Sequence, residues 1–395
     1  MTTQRQLFLQ NMAQTSDTPL MLEIVKAEGV YLYDVNGKKY LDLIAGISVS
    51  NVGHCHPKVV EAVQNQAAKF MHTMVYGEFV LNPQTALATF ITDLLPESLN
   101  SVYFVNSGTE ATEGAMKIAK RYTGRSEIIS CKQAYHGSTQ GALSILGDEY
   151  FKRNYRPLLP NTRLIQYNNW EDLDAITCRT AAVFMEVVQA EAGVILPEKG
   201  YLAAVRKKCN DTGTLLVIDE IQTGCGRTGK MFGFEHSGVI PDILLLAKGL
   251  GGGMPIGAFI ANKKVMEVIK EQPILGHITT FGGHPVSCAA ALVSLKVIVE
   301  EKLHESVAEK AKRFEQRLQH PKIKKLHQAG LMMALYVEDF ETVQKIISSC
   351  LHAGLITDWF LFANDCIRIA PPLNISEEEI FHATQIILNA LDKLK

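Results

Sequence analysis

No run in this sequence is apolar for the roughly 20 residues that a bilayer-spanning helix needs. The opening residues, MTTQRQLFLQNMAQTSDTP, also lack a continuous apolar stretch before a small-residue cleavage site, so no secretory signal is expected there. Cysteine pairing signals are missing as well. The eight cysteines are scattered without a CxxC pair, which argues for reduced, mostly buried thiols in a cytoplasmic setting. An excess of one charge is absent, since the formal net charge is -2. That leaves no broad electrostatic reason to expect nucleic acid or an anionic membrane as partner, although a local basic patch is still open. His54-Cys55-His56 has metal-ligand residue types, but no second cluster accompanies it. A turn ending at Pro57 accounts for it, and no metal is expected.

What is present is a chain of 395 residues, long enough for two or three domains, with an ordinary 47% hydrophobic and 20% charged composition. Short β-rich runs alternate with helical patterns from about Val102 to Phe259: Val102–Val105, Ile128–Cys131, Ala182–Glu186, Leu215–Ile218 and Ile243–Ala247. Such alternation predicts an α/β fold with a largely parallel sheet and helices on both faces. Ligands of such sheets gather beyond the carboxyl ends of the strands. Past Gly283 the pattern changes to long helices over Pro285–Leu318, a strand at Leu331–Val337, a helix at Phe340–His352, a strand at Cys366–Ile369 and a last helix from Ser376 to Leu391. Ser376 and Glu379 form the Ser-x-x-Glu capping pattern at its start. The expected division is a large domain over residues 51–284 and a smaller α+β domain over 285–395. Residues 1–50, with strand candidates Val30–Tyr33 and Tyr40–Leu43, are expected to pack with the smaller one.

Chemistry concentrates just after the predicted strands. Val102–Val105 runs into Asn106-Ser107-Gly108-Thr109-Glu110 and then a helix with Ala111, Ala115, Ile118, Ala119 and Tyr122 on one face. Free N–H groups at that helix start suit a phosphate held by Ser107, Gly108 and Thr109, although a Ser107–Glu110 capping box explains the same residues. Asp219 ends the Leu215–Ile218 run and is followed by Glu220-Ile221-Gln222. A buried acid there needs a partner, either a protonated ring nitrogen or the N–H groups of the turn. Lys248 ends another apolar run and precedes Gly-Leu-Gly-Gly-Gly253. Desolvation favours a nucleophilic amine, and the glycines admit a bulky group; a snorkelling lysine is the alternative. Tyr135, in Gln133-Ala-Tyr135-His136-Gly137-Ser138, can stack on a flat ring or simply pack. Gly224-x-Gly226-x-x-Gly229 formally matches a dinucleotide fingerprint, but Arg227-Thr-Gly-Lys-Met-Phe-Gly reads as a loop and not as the start of a helix.

The motifs Asn-Ser-Gly-Thr-Glu-Ala, Asp-Glu-Ile-Gln-Thr-Gly-x-Gly-Arg-Thr-Gly and Ala-Lys-Gly, in this order and spacing, resemble those of the class-III aminotransferases, most closely the acetylornithine and ornithine aminotransferases. The resemblance runs from about Leu22 to Leu391. It implies the fold-type I architecture of pyridoxal-phosphate-dependent transferases, with a seven-stranded-type sheet and a smaller α+β domain. It also implies pyridoxal 5'-phosphate as cofactor, with Lys248 as Schiff-base lysine, Asp219 at the pyridine nitrogen and Gln222 at the ring hydroxyl. By the same resemblance Ser107, Gly108 and Thr109 hold the phosphate, with Tyr135 and His136 against the cofactor. Thr280, in Thr279-Thr280-Phe-Gly-Gly, resembles a threonine that reaches the neighbouring subunit's phosphate, which implies a homodimer with shared active sites.

The implied reaction moves an amino group from a small-molecule donor, an ω-amino acid or amine, to a 2-oxo acid such as 2-oxoglutarate in two half-reactions. Thr279 and Ser138 stand among the substrate-facing positions. Arg368, in Cys366-Ile-Arg-Ile-Ala-Pro-Pro, resembles the arginine that takes glutamate's carboxylate, and Glu191 the acid that masks it; a permanent salt bridge is the alternative. Ser138 departs from the family, which carries an arginine there for the donor's far carboxylate. Arg125, Arg153 and Arg156 are nearby in sequence. An aminomutase or decarboxylase on the same frame, and a nicotinamide-dependent oxidoreductase using the Gly224 loop, are the competing readings.

Overall fold

The computed structural model describes residues 2–394. Its centre is a seven-stranded sheet with spatial order Ser101–Val105, Gly257–Ala261, Ile243–Leu246, Leu215–Asp219, Thr180–Glu186, Glu127–Cys131 and Thr162–Ile165. Only Gly257–Ala261 runs antiparallel to its neighbours. The other adjacent pairs are parallel. The five strands expected from sequence are all present. Gly257–Ala261 and Thr162–Ile165 are two further strands; the first is rich in small residues and the second opens on two polar ones, so neither stands out as a β-rich apolar run.

Alternate residues of the central strands serve two cores, which is why these runs are apolar throughout. Val183, Met185, Leu216, Ile218, Leu244 and Leu246 face one core, shared with the helices Asn82–Asp93, Tyr201–Thr212 and Pro285–Glu300. Phe184, Val217, Ile243 and Leu245 face the other, with Ala111, Ala115, Ile118 and Ala119 of the helix Gly108–Thr123. Tyr122, further along the same helix face, is not part of that core. At 39% exposure it stands in solvent, in the last turn of the helix before the left-handed Gly124.

A second, smaller body of structure lies towards the carboxyl end of the chain. Lys325–Gln328, Met333–Tyr336, Ala363–Ile369 and Trp359–Phe360 form one four-stranded sheet, backed by the helices Phe340–His352 and Glu377–Asp392. Ser376 caps the last helix in a full capping box with Glu379. In the N-terminal sheet Ile24–Glu28, Tyr31–Asp34 and Lys39–Asp42 are antiparallel, and Leu355–Ile356 adds to it in parallel. Val30, Leu41 and Leu43 are buried in the same core as Phe314, Leu335 and Ile387. Among the described residues, no helix is long and apolar enough to cross a membrane.

Candidate active site

Strand register brings the acids together. Glu186 and Asp219 are partners across adjacent parallel strands, and Asp219 is level with Leu245, three residues before Lys248. All three residues therefore reach the same carboxyl edge of the sheet. They line one cavity of about 430 Å³ together with Asn106, Ser107, Gly108, Thr109, Tyr135, His136, Ser138, Ile221 and Gln222. The residues singled out after separate strands thus converge on a single space.

Lys248 enters the cavity from a backbone at φ 46°, a left-handed conformation that costs a non-glycine residue energy and marks a constrained position. Desolvation pulls its ammonium down to about 8, so a substantial neutral fraction is present near neutrality. Asp219 takes the turn N–H that the sequence offered it and adds a second partner. Its Oδ1 accepts from the Ile221 N–H at 2.9 Å, and its Oδ2 meets His136 Nδ1 at 2.7 Å. Glu186 was not foreseen. Burial and the nearby Asp219 push its carboxyl well above the ordinary range, and it accepts from the N–H groups of Ala190 and Tyr135.

The helix Gly108–Thr123 points its start at the same cavity. Ser107 Oγ caps the Glu110 N–H at 3.3 Å, but Glu110 reaches back to Asn106 and not to Ser107, so the capping box is only half made. The first-turn N–H groups of Gly108 and Thr109 have no protein acceptor among the described residues, the condition for anion binding at a helix start. The Thr109 hydroxyl lies 2.7 Å from that of Thr139, which donates to Glu113 at 2.6 Å. Two glycines keep this wall close. A Cβ on Gly108 would meet Ile221 Cδ1 at 2.7 Å, and one on Gly137, at φ +126°, would meet Thr109 Oγ1 at 2.3 Å.

Gln222 Nε2 donates to Glu191 Oε1 at 2.9 Å, while its own Oε1 is buried without a partner. A ring hydroxyl would supply the missing donor, free N–H groups would meet a phosphate, and an amine stands ready for an aldehyde. On these grounds the residues fit pyridoxal phosphate. Glu191 in turn grips Arg368 through two bonds of 3.0 Å each, both side chains being almost wholly buried. Burial alone would raise the Glu191 carboxyl, but Arg368 outweighs it and holds it down at about 2. Neither residue lines the cavity in this arrangement.

Other expected residues fall elsewhere. Thr279 and Thr280 lie outside the cavity of their own chain, with Thr280 exposed. Ser138 is exposed at the cavity wall. The three nearby arginines are engaged away from it: Arg125 with the carbonyls of Thr180, Thr212 and Gly213, Arg153 over the Tyr150 ring, and Arg156 with Glu149. His54 bonds Asp42 at 2.8 Å, and Pro57 opens a helix directly after His56. The segment from Gly224 to Gly229 is a succession of turns and opens no helix. Its Arg227 is fully buried and bonds the carbonyls of Leu331 and Pro371 and the side chain of Asn51. The sequence carried no signal for that burial, since its partners lie more than 100 positions away.

Fold and cavity together define a pyridoxal-phosphate-dependent transferase. The chain belongs to the aminotransferase class-III family, whose model matches residues 12–391. It is 39% identical over 373 residues to an acetylornithine aminotransferase of Methanopyrus kandleri, covering 93% of this chain and 94% of that one. The ornithine aminotransferase of Toxoplasma gondii superposes with a TM-score of 0.89 at 31% identity, covering 99% of this chain and 94% of that one. An amine transaminase from an uncultivated Pseudomonas species gives 0.90 at 26% identity over 98% of both chains. The protein is an aminotransferase that moves amino groups from amino-acid or amine donors to 2-oxo acids.

Proposed function

We propose that this aminotransferase takes its amino group from an amine or ω-amino acid whose distal chemistry differs from that of acetylornithine and delivers it to 2-oxoglutarate. The observation that carries this reading is the charge inventory of the site. Among the described residues lining the cavity, Lys248 is the only Lys or Arg, and Arg368 is covered by Glu191. Ser138 offers a short neutral hydroxyl where a guanidinium would clasp a carboxylate. Losing one such contact costs roughly 1.5–3 kcal/mol, or about ten- to a hundredfold in affinity. A panel of diamines, ω-amino acids and acetylornithine, assayed with 2-oxoglutarate, tests this. Acetylornithine should have a kcat/KM at least about tenfold below the best donor. Acetylornithine as the best donor would sink the proposal.

Bound pyridoxal phosphate supplies the electron sink for the reaction. Lys248 Nζ would anchor it and, as a desolvated amine in the cavity, would take the donor's proton and return it. Asp219, fixed by His136 and the Ile221 N–H, would pair with the ring nitrogen and favour its protonated form. Gln222 would meet the ring hydroxyl, Tyr135 and His136 would lie against the ring, and Ser107, Gly108 and Thr109 would receive the phosphate. An aminomutase would need the same residues, so release of free 2-oxo acid and glutamate separates the two readings.

Glu191 and Arg368 act as an exchangeable pair. With an ω-amino donor, whose chain near the cofactor is uncharged, Glu191 stays on Arg368, because a bare buried guanidinium is costly. The carboxylate of 2-oxoglutarate then displaces Glu191 and takes the same fork. Arg368→Ala should raise the KM for 2-oxoglutarate about ten- to a hundredfold. The amine half-reaction should stay within about threefold, below the loss of one charged hydrogen bond. Equal losses in both half-reactions, measured by single turnover, would refute the exchange.

The active enzyme is a homodimer, with Thr280 and the adjacent Thr279 completing the partner's site. Support comes from the surface around them. Phe281, Ile278, Ile274, Phe79, Val80 and Met71 are all exposed, and the His72 and Phe281 rings meet tilted with centroids 4.9 Å apart, which joins the two segments. Such a grouping of exposed apolar side chains marks an interaction surface. Thr280→Val should weaken cofactor affinity about tenfold, the value of one hydrogen bond to a charged group. A fully active monomer in sedimentation and assay would exclude this arrangement.

A further inference from the structure

Arg368 is held by two carboxylates. Glu191 occupies the outer edge of the guanidinium, on Nη1 and Nη2. On the inner edge, Asp358 Oδ1 accepts from Nε at 2.8 Å, and the Trp359 carbonyl accepts from Nη2 at 3.3 Å. The main chain reinforces this side. The Arg368 N–H donates to the Asp358 carbonyl at 2.8 Å, and the Thr357 hydroxyl donates to the Arg368 carbonyl at 2.6 Å. The Phe360 ring lies 4.2 Å from the guanidinium carbon. The four residues Thr357–Phe360 thus wrap the arginine on the side away from Glu191.

The two carboxylates are not equivalent. Glu191 connects to the cavity through Gln222, whereas Asp358 does not line the cavity and bonds only the edge that a fork-on-fork carboxylate leaves free. When Glu191 departs, the Nε–H and one Nη2–H remain bonded while the outer pair of N–H groups opens. A guanidinium on a flexible stem would otherwise lose its orientation.

We infer that Asp358 is the positioning residue of Arg368, its acceptor oxygen keeping the carboxylate-binding fork aimed while Glu191 is displaced. The inference rests on the exchange of Glu191 for the acceptor carboxylate proposed above. Binding to a fork already oriented avoids the cost of ordering a long side chain on association.

The test uses the holoenzyme with each half-reaction measured separately. Asp358→Ala should raise the KM for 2-oxoglutarate about tenfold, as expected for one charge-assisted bond, with kcat and the amine half-reaction within about threefold. Asp358→Ser, whose hydroxyl is too short to reach Nε, stands in if the alanine variant fails to fold. Asp358→Asn keeps an acceptor oxygen and should restore the KM to within about threefold of the parent. An unchanged KM in Asp358→Ala, or an equal loss in Asp358→Asn, overturns the positioning role. A second readout needs no substrate. In protein labelled with 15N-arginine, the Arg368 Nε–H should resist solvent exchange in the parent and in Glu191→Gln. In Asp358→Ala it should exchange at least about tenfold faster, following the loss of its acceptor. Equal exchange rates in the parent and Asp358→Ala overturn the inference. If Arg368→Ala leaves the 2-oxoglutarate half-reaction intact, the exchange reading alone fails, and the Nε–H rates still judge Asp358.

Discussion

Lys248→Ala should abolish turnover, with a loss on the order of 10⁴-fold or more, while the fold stays intact. General acid–base catalysis alone contributes about 10²–10⁴-fold, and Lys248 is also the proposed covalent anchor. Removing it relieves a desolvated ammonium and leaves the strand Ile243–Leu246 and its two cores untouched. Circular dichroism and thermal melting should therefore resemble the parent, and borohydride should no longer fix the cofactor to the chain. Near-parental transamination by the variant would overturn the central assignment. The lowered amine, at about 8, adds a pH signature. The neutral amine is the reactive form, so cofactor capture by the apoenzyme should quicken as pH rises through about 8 and level off above it. A rate that is flat across that range would argue against Lys248 as the attacking amine.

Asp219→Asn should retain cofactor yet slow proton abstraction by roughly 10²–10³-fold, the scale for losing one preorganised electrostatic contact. The structure explains why the fold should tolerate the change. The substituted amide's Oδ1 would still accept from the Ile221 N–H, but its Nδ2 would face His136 Nδ1. His136 would have to present Nδ1 as an acceptor and place a proton on Nε2, which is buried without a partner. An unsatisfied buried donor costs about 1–3 kcal/mol, so a modest fall in melting temperature should accompany the kinetic defect. Unchanged single-turnover rates would remove Asp219 from the ring nitrogen.

Much of the site was legible because its residues follow strands that read clearly. In a parallel sheet buried on both faces, strands are near-continuous apolar runs, and polar residues at their carboxyl ends stand out against them. Ser107, Asp219 and Lys248 were visible for that reason. Glu186 ends an equally clear run but was passed over, because its meaning depends on Asp219 lying beside it in the next strand. Tyr122 shares the helix face that the periodicity gave but is exposed, because periodicity sets direction and not depth.

Local pattern and motif order by themselves determined the α/β class, the carboxyl-edge residues and the absence of a charged anchor at Ser138. These are properties of neighbours in the chain: periodicity, strand ends and the type of residue after a turn. Only the tertiary structure decided that Arg125, Arg153 and Arg156 are spent elsewhere, that Arg227 is buried, and that Arg368 is shared between Glu191 and Asp358. Glu191 and Arg368 are 177 positions apart, and Arg227 and Pro371 are 144 apart. No local pattern encodes such pairings, because the burial that makes a charge need its partner exists only once distant segments have packed around it.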